Sequence, residues 1–333
     1  MNWENLTDEE LLQMRIKDLK VRIQGCELEL RVKQLYEELD ARSICFHPPC
    51  YLADEWLCPD RQPLIGIPFF LAHPRLEHIE KQMMLEVEGG TEQWCMKLLR
   101  HEAGHALNYA YEIFRKTRWR QLFGPMSAKY SDSYYFRPYS KRYVLNLEHN
   151  YAQLHPDEDF AETFAVWIAP GRDWQRKYRG WPALKKLQYV ESLVKRIGSK
   201  PPLVEAPDRP PWSASRMTST LKDYYRRKRK QLGNEFQAYY DNTLKTIFKT
   251  GHTGPGQQKA SKLLRKHRRQ LVNSLAMWTE YRKYDISQLV DKLISRCEAL
   301  ELVAKDEDMI SAATLIATIA SNTLRFRKNE EKQ

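Results

Sequence analysis

No apolar run in this sequence approaches the 18 or so residues that a membrane-spanning helix requires, which excludes a helical membrane protein. Paired cysteines are missing too. The six Cys of the 333 residues have no framework spacing, so they read as reduced thiols rather than a disulfide scaffold. The opening MNWENLTDEELLQMR is acidic and polar, where a signal peptide needs a basic start and an apolar stretch. Internal repeats and low-complexity tracts are also lacking. The expectation is a cytoplasmic protein with no membrane partner. With 42% hydrophobic and 29% charged residues, the chain has globular composition, and its length allows a sizeable core.

Charge is distributed unevenly. Residues 201–333 hold 25 Lys and Arg against 15 Asp and Glu, whereas residues 1–200 hold 29 against 28. Between them, Gly198–Trp212 contains five Pro in 15 residues, which cannot continue a helix and reads as a semi-rigid linker. The expected organisation is therefore a domain over 1–198, a Pro-rich linker over 199–212 and a basic helical domain over 213–333.

Thr7-Asp-Glu-Glu10 has capping-box form and predicts a short helix. Leu19, Val21 and Ile23 alternate with polar residues as in a strand, although Leu12, Ile16, Leu19 and Ile23 also fit a helix. A helix is predicted over 27–40. Strands are expected at Ser43–His47, Cys50–Ala53 and Leu64–Leu71, where Pro68 favours a sheet edge. Thr91 caps a helix over 92–115, and His155-Pro156 opens another that Pro170-Gly171 closes. Further helices are expected over 181–197, 214–248, 257–280, 286–304 and 308–328.

The chemistry concentrates at His101-Glu102-Ala103-Gly104-His105. Two His at i and i+4 leave the same side of a helix one turn apart and can bind one zinc ion together. Glu102 is then placed to act as general base toward a water. The bland alternative is an amphipathic helix carrying two surface His. A second helix, starting at Pro156, brings Glu158 and Glu162 onto one face, where a third ligand and an outer carboxylate are needed. An acidic first turn complementing the helix dipole explains Asp157 and Glu158 well, but Glu162 poorly. Asn108 and Tyr111 stand where the metzincin pattern needs Gly and His, so that variant is excluded.

Leu99–Leu107 together with Tyr151–Ala165 resembles the family of putative zinc-binding metallopeptidases, and more distantly the catalytic domain of anthrax lethal factor. The likeness covers about 60–200, and 213–333 has no counterpart in it. It implies a gluzincin-type arrangement on an α+β, zincin-like domain with a small mixed sheet and two active-site helices, followed by a mostly α-helical C-terminal domain. It further implies Glu158 as the third zinc ligand, Glu162 behind a ligand His, and Tyr151 as a donor to the tetrahedral intermediate. The 52 residues between His105 and Glu158 exceed the thermolysin-like spacing, so no cleft lining carries over. Spacing agrees with the assignment. Asp159 points about 100° from Glu158 around the helix, and Pro156 puts Glu158 in the first turn.

The function implied is zinc-dependent hydrolysis of a peptide or protein, with one zinc ion, His101, His105 and Glu158 as ligands, and Glu102 as base. The competing reading is a binding module. In that reading the dense basic runs Tyr224–Lys230 and Lys262–Arg269 engage nucleic acid or an acidic protein, and the zinc site is structural or vestigial. Cys45, His47, Cys50 and Cys58 offer a second zinc site on paper, but they lack the tight pairs of a structural one, and the three Cys read first as buried or partly exposed thiols. Tyr134, Tyr135, Tyr139 and Tyr143, among basic residues, either line a substrate cleft or pack a surface loop.

Overall fold

A computed structural model describes residues 3–84, 87–129, 137, 140–171, 173–232, 241–251, 253–278 and 281–330. The chain divides into two compact units, Met1–Lys81 with Val87–Tyr224, and Gln82–Glu86 with Tyr225–Gln333.

The first unit opens with α1 (Asp8–Leu12), started by a complete Thr7/Glu10 capping box. A 3₁₀ turn, Ile16–Leu19, follows, and Lys20 turns left-handed behind it. The stretch 19–24 is therefore neither strand nor α-helix. Leu19, at the end of the turn, and Ile23, in the loop after it, are buried, and Val21 is half-buried. Next come α2 (Glu27–Ala41), β1 (Cys50–Ala53) and β2 (Ile65–Pro68). Ser43–His47 forms no strand. The mixed sheet expected here is a two-stranded parallel ladder with antiparallel bridges from Gly66 to Leu57 and from Ala53 to Ser213. Past Pro68 the chain bends into a 3₁₀ turn, Phe69–Ala72, rather than extending the strand. α3 (Pro74–Met84) leads to α4 (Glu92–Ala110), capped by Thr91, whose hydroxyl accepts from Trp94 N. That helix stops five residues earlier than its periodicity predicts, because Glu112 adopts a left-handed conformation, φ 45°.

α5 (Thr117–Phe123), α6 (Pro156–Ile168), α7 (Trp174–Lys177) and α8 (Leu184–Ile197) complete the unit. α6 is its centre. Every residue from Asp157 to Ile168 is buried, with α4, α5 and α8 packed around it. α4 lies close against α6 because Gly104 has no side chain. A Cβ there would sit 2.8 Å from the Cα of Ala161. On its other flank α4 is tied to α2 by a buried bidentate pair, Arg100 to Glu38, with both contacts at 2.6 Å.

Expected as a linker, the Pro-rich segment is bonded to the first unit. Leu203 N and Val204 N both donate to Ala110 O, satisfying a carbonyl that the end of α4 leaves open. Ile16 N and Lys17 N donate to Ser219 O and Met217 O, and Leu221 N donates to Met14 O. The units divide at Tyr224, past the segment where composition placed the joint.

α9 (Leu221–Leu232) carries the chain across that division. The second unit continues with α10 (Asp241–Ile247), β3 (Lys249–Thr250), β4 (Gln258–Lys259), α11 (Ala260–Trp278), α12 (Lys283–Ala299), β5 (Leu302–Ala304) and α13 (Asp308–Glu330). Its core joins Leu263, Leu264, Val290, Leu293 and Ile316 from the three long helices. The three short strands form an antiparallel sheet, ordered β3-β5-β4, that helical periodicity did not foretell. No described helix is long and apolar enough to cross a membrane.

Candidate metal centre

α4 presents His101 and His105 one turn apart toward α6, and α6 presents Glu158 from its first turn. His155 caps that turn, accepting from Asp157 N through its ring, and Pro156 fixes the entry. His101 Nε2 and His105 Nε2 are 3.1 Å apart, and Glu158 Oε2 lies 3.1 Å from the first and 3.2 Å from the second. Four-coordinate zinc with ligand distances of about 2.0–2.1 Å has tetrahedral edges of about 3.3–3.4 Å, so the triangle fits that ion within a few tenths of an ångström. All three residues are buried.

The reverse sides of both rings are held by carboxylates. His101 Nδ1 is 2.8 Å from Glu162 Oε1, and Glu162 also accepts from Asn146 Nδ2 and Leu147 N, both at 2.9 Å. His105 Nδ1 is 3.0 Å from Asp157 Oδ2, an ion-pair distance without hydrogen-bond alignment. Asp157 is fixed by Asn108 Nδ2 at 2.7 Å and the Tyr109 hydroxyl at 2.6 Å. Carboxylates only accept, so Glu162 keeps the hydrogen on His101 Nδ1, the negative charge of Asp157 favours the same at His105 Nδ1, and each Nε2 then has a lone pair to turn inward. Two such lone pairs at 3.1 Å repel unless a cation lies between them. The donor chemistry and the spacing therefore both fit a metal.

Burial alone would lower the His101 imidazole, but Glu158 and Glu162 outweigh it and raise it to about 9. Burial likewise opposes the charged form of His105, which Asp157 and Glu158 nevertheless raise well above the ordinary value. Glu158, which burial would raise, is instead lowered by His105 and His101. Glu102 goes the other way. Burial lifts its carboxyl above the ordinary range, against the pull of both imidazoles. Asp159 faces away from the cluster and pairs with Lys186 of α8, though burial still raises it to about 7.

Residues 95–170 match the model of the family described as "Putative zinc-binding metallo-peptidase". The match covers both helices of the site and stops short of the second unit. No curated protein and no solved structure matches the chain.

The structure thus gathers His101, His105 and Glu158 into one cluster, with Glu162 behind His101 and Glu102 beside it. Tyr151 stands on the 3₁₀ turn Glu148–Gln153, its ring centroid 5.5 Å from that of His101. Cys58 is near enough to feel the charges of Glu102 and Asp157, whereas His47 and Cys50 are held by other partners. His47 pairs with Asp40 and stacks on Tyr36, and Cys50 is pushed up to about 12 by burial. All six Cys are free. Tyr134, Tyr135 and Tyr139 lie outside the described residues, and Tyr143 covers the Lys186 ammonium at 4.4 Å. Sequence reasoning missed Asn108, Tyr109, Asn146 and the role of Asp157. Asn108 and Tyr109 were findable, since they follow His105 by three and four residues on one helix face. Asn146 comes from a loop and left no periodic trace.

Proposed function

We propose that this chain is a zinc-dependent peptidase of gluzincin type, with His101, His105 and Glu158 as the ligands of one zinc ion. Zinc held there supplies Lewis-acid polarisation of the scissile carbonyl and of a water. Glu102 takes the proton of that water and returns it to the leaving amine. Its raised carboxyl suits the task, because a general base works best with a pKa near the working pH. Tyr151 donates its hydroxyl hydrogen to the developing oxyanion. Glu162 and Asp157 hold the two rings in the Nδ1–H tautomer and keep Nε2 free to donate its lone pair.

The observation that carries this reading is the pairing of a buried His-His-Glu triangle with a separate buried carboxyl, Glu102, outside it. A purely structural site needs no such acid. The substrate class is peptide or protein. Purified protein incubated with a mixed peptide library should generate new amino termini, lose that activity to a zinc chelator and regain it on zinc addition. Stoichiometric zinc without any cleavage across the library would leave a binding site and overturn the enzymatic reading.

A further inference from the structure

α11 carries five Lys and Arg and no acid in its 19 residues. A helix face kept merely wet ordinarily interleaves both signs and gains from i,i+4 pairs. The five cations of α11 divide by direction. Arg265 donates to Glu298 at 2.6 Å, and Arg268 grips Asp291 through two contacts at 2.7 and 2.6 Å, so these two belong to the packing of α12. At 100° per residue, Lys262, Lys266, Arg269, Asn273 and Met277 fall within about 80° of one another. All five are exposed. They form a stripe about 22 Å long at 1.5 Å per residue.

The stripe continues past the start of the helix. Lys259 of β4 and Lys249 of β3 both stand opposite Val303 of β5, so they flank one residue on one face of the sheet. Both are exposed, and two strand spacings put them about 10 Å apart. Glu298, the acid that acts on Lys259, is already held by Arg265. At the far end Met277 is 72% exposed, whereas Trp278, 82% exposed, lies about 100° or more around the helix from every member of the stripe. The other basic run offers no stacking rings either. Tyr224 and Tyr225 in α9 are buried, which removes the aromatic rings that its sequence offered for stacking.

Repeated cations on a helix that carries no acid match a partner with evenly repeated negative charge. We propose that Lys249, Lys259, Lys262, Lys266 and Arg269 bind the phosphate backbone of a nucleic-acid strand. This inference stands independently of the peptidase reading.

The test uses the full chain and a fluorescein-labelled 20-nucleotide single strand, followed by anisotropy between 50 and 200 mM NaCl. Five phosphate contacts predict a slope of log affinity on log salt of about −3.5. The triple variant Lys262→Gln, Lys266→Gln, Arg269→Gln should reduce that slope by about 2 and weaken binding at least about tenfold at 50 mM. A control removing equal charge from α8, Lys185→Gln, Lys195→Gln, Arg196→Gln, should change neither. No binding at 50 mM salt, or equal losses in the two triple variants, would overturn the proposal. Tighter binding of polyglutamate or of anionic phospholipid vesicles, undisplaced by the strand, would overturn it in favour of those partners.

Discussion

In the proposed site, zinc would compete with protons for the same nitrogens of His101 and His105. The metal-free protein holds His101 at about 9, above its ordinary 6.5, because Glu158 and Glu162 overcome the effect of burial. A group raised in the folded state adds its stability in full below pH 6.5 and loses it as the pH climbs through 9. Chelator-treated protein should therefore melt at progressively lower temperature from pH 6.5 to 9, while zinc affinity rises over the same interval. A melting temperature that stays flat or climbs there would contradict the assignment. Among the carboxylates, Glu158→Ala should abolish stoichiometric zinc, and Glu162→Ala should weaken binding by about 10–100-fold, as measured by metal analysis and competition with a chelating dye. The opposite order would make Glu162 the ligand. At this scale the helical period made much legible, since residues four apart on one helix share a face whatever the tertiary fold. Asp157 was hidden because an acid in a first helical turn has an ordinary explanation in the helix dipole. Its carboxylate is instead held by Asn108 and Tyr109 against His105.

Between elements, the site depends on how closely α4 and α6 approach. Gly104 sets that distance, and its added methyl would meet the backbone of Ala161, which cannot swing aside as a side-chain tip does. Gly104→Ala should therefore destabilise the protein by about 1–3 kcal/mol, despite the better helix propensity of Ala, and lower zinc affinity with it. Urea unfolding of the two proteins, with and without zinc, measures both effects. A neutral or stabilising result would mean that the helices part at little cost. Strong caps were legible here: Thr7, Thr91 and Pro156 each start a helix where expected. Ends were less so, because the left-handed Glu112 that stops α4 carries no Gly or Pro signal. The strands of the second unit are two or three residues long, too short for any period to register.

For the whole molecule, charge asymmetry and proline content placed a joint at 199–212, yet the chain there is fastened to α4, and residues 217 and 219 just after it are bonded to the turn after α1. Proline forbids helix, but it does not forbid docking in extended form. A fragment ending at residue 198 should lose stability and zinc, since Ala110 O, Ile16 N and Lys17 N all lose their partners, whereas a fragment ending at 224 should keep both. Thermal melts and metal content of the two fragments decide this, and equal behaviour would put the joint back in the Pro-rich segment. The measurement that bears most directly on the central claim pairs the intact protein with Glu102→Gln. Both should hold the same stoichiometric zinc, because Glu102 is outside the His101, His105, Glu158 triangle, and only the unaltered protein should hydrolyse peptides. Undiminished hydrolysis by the variant, or loss of its zinc, would contradict the account.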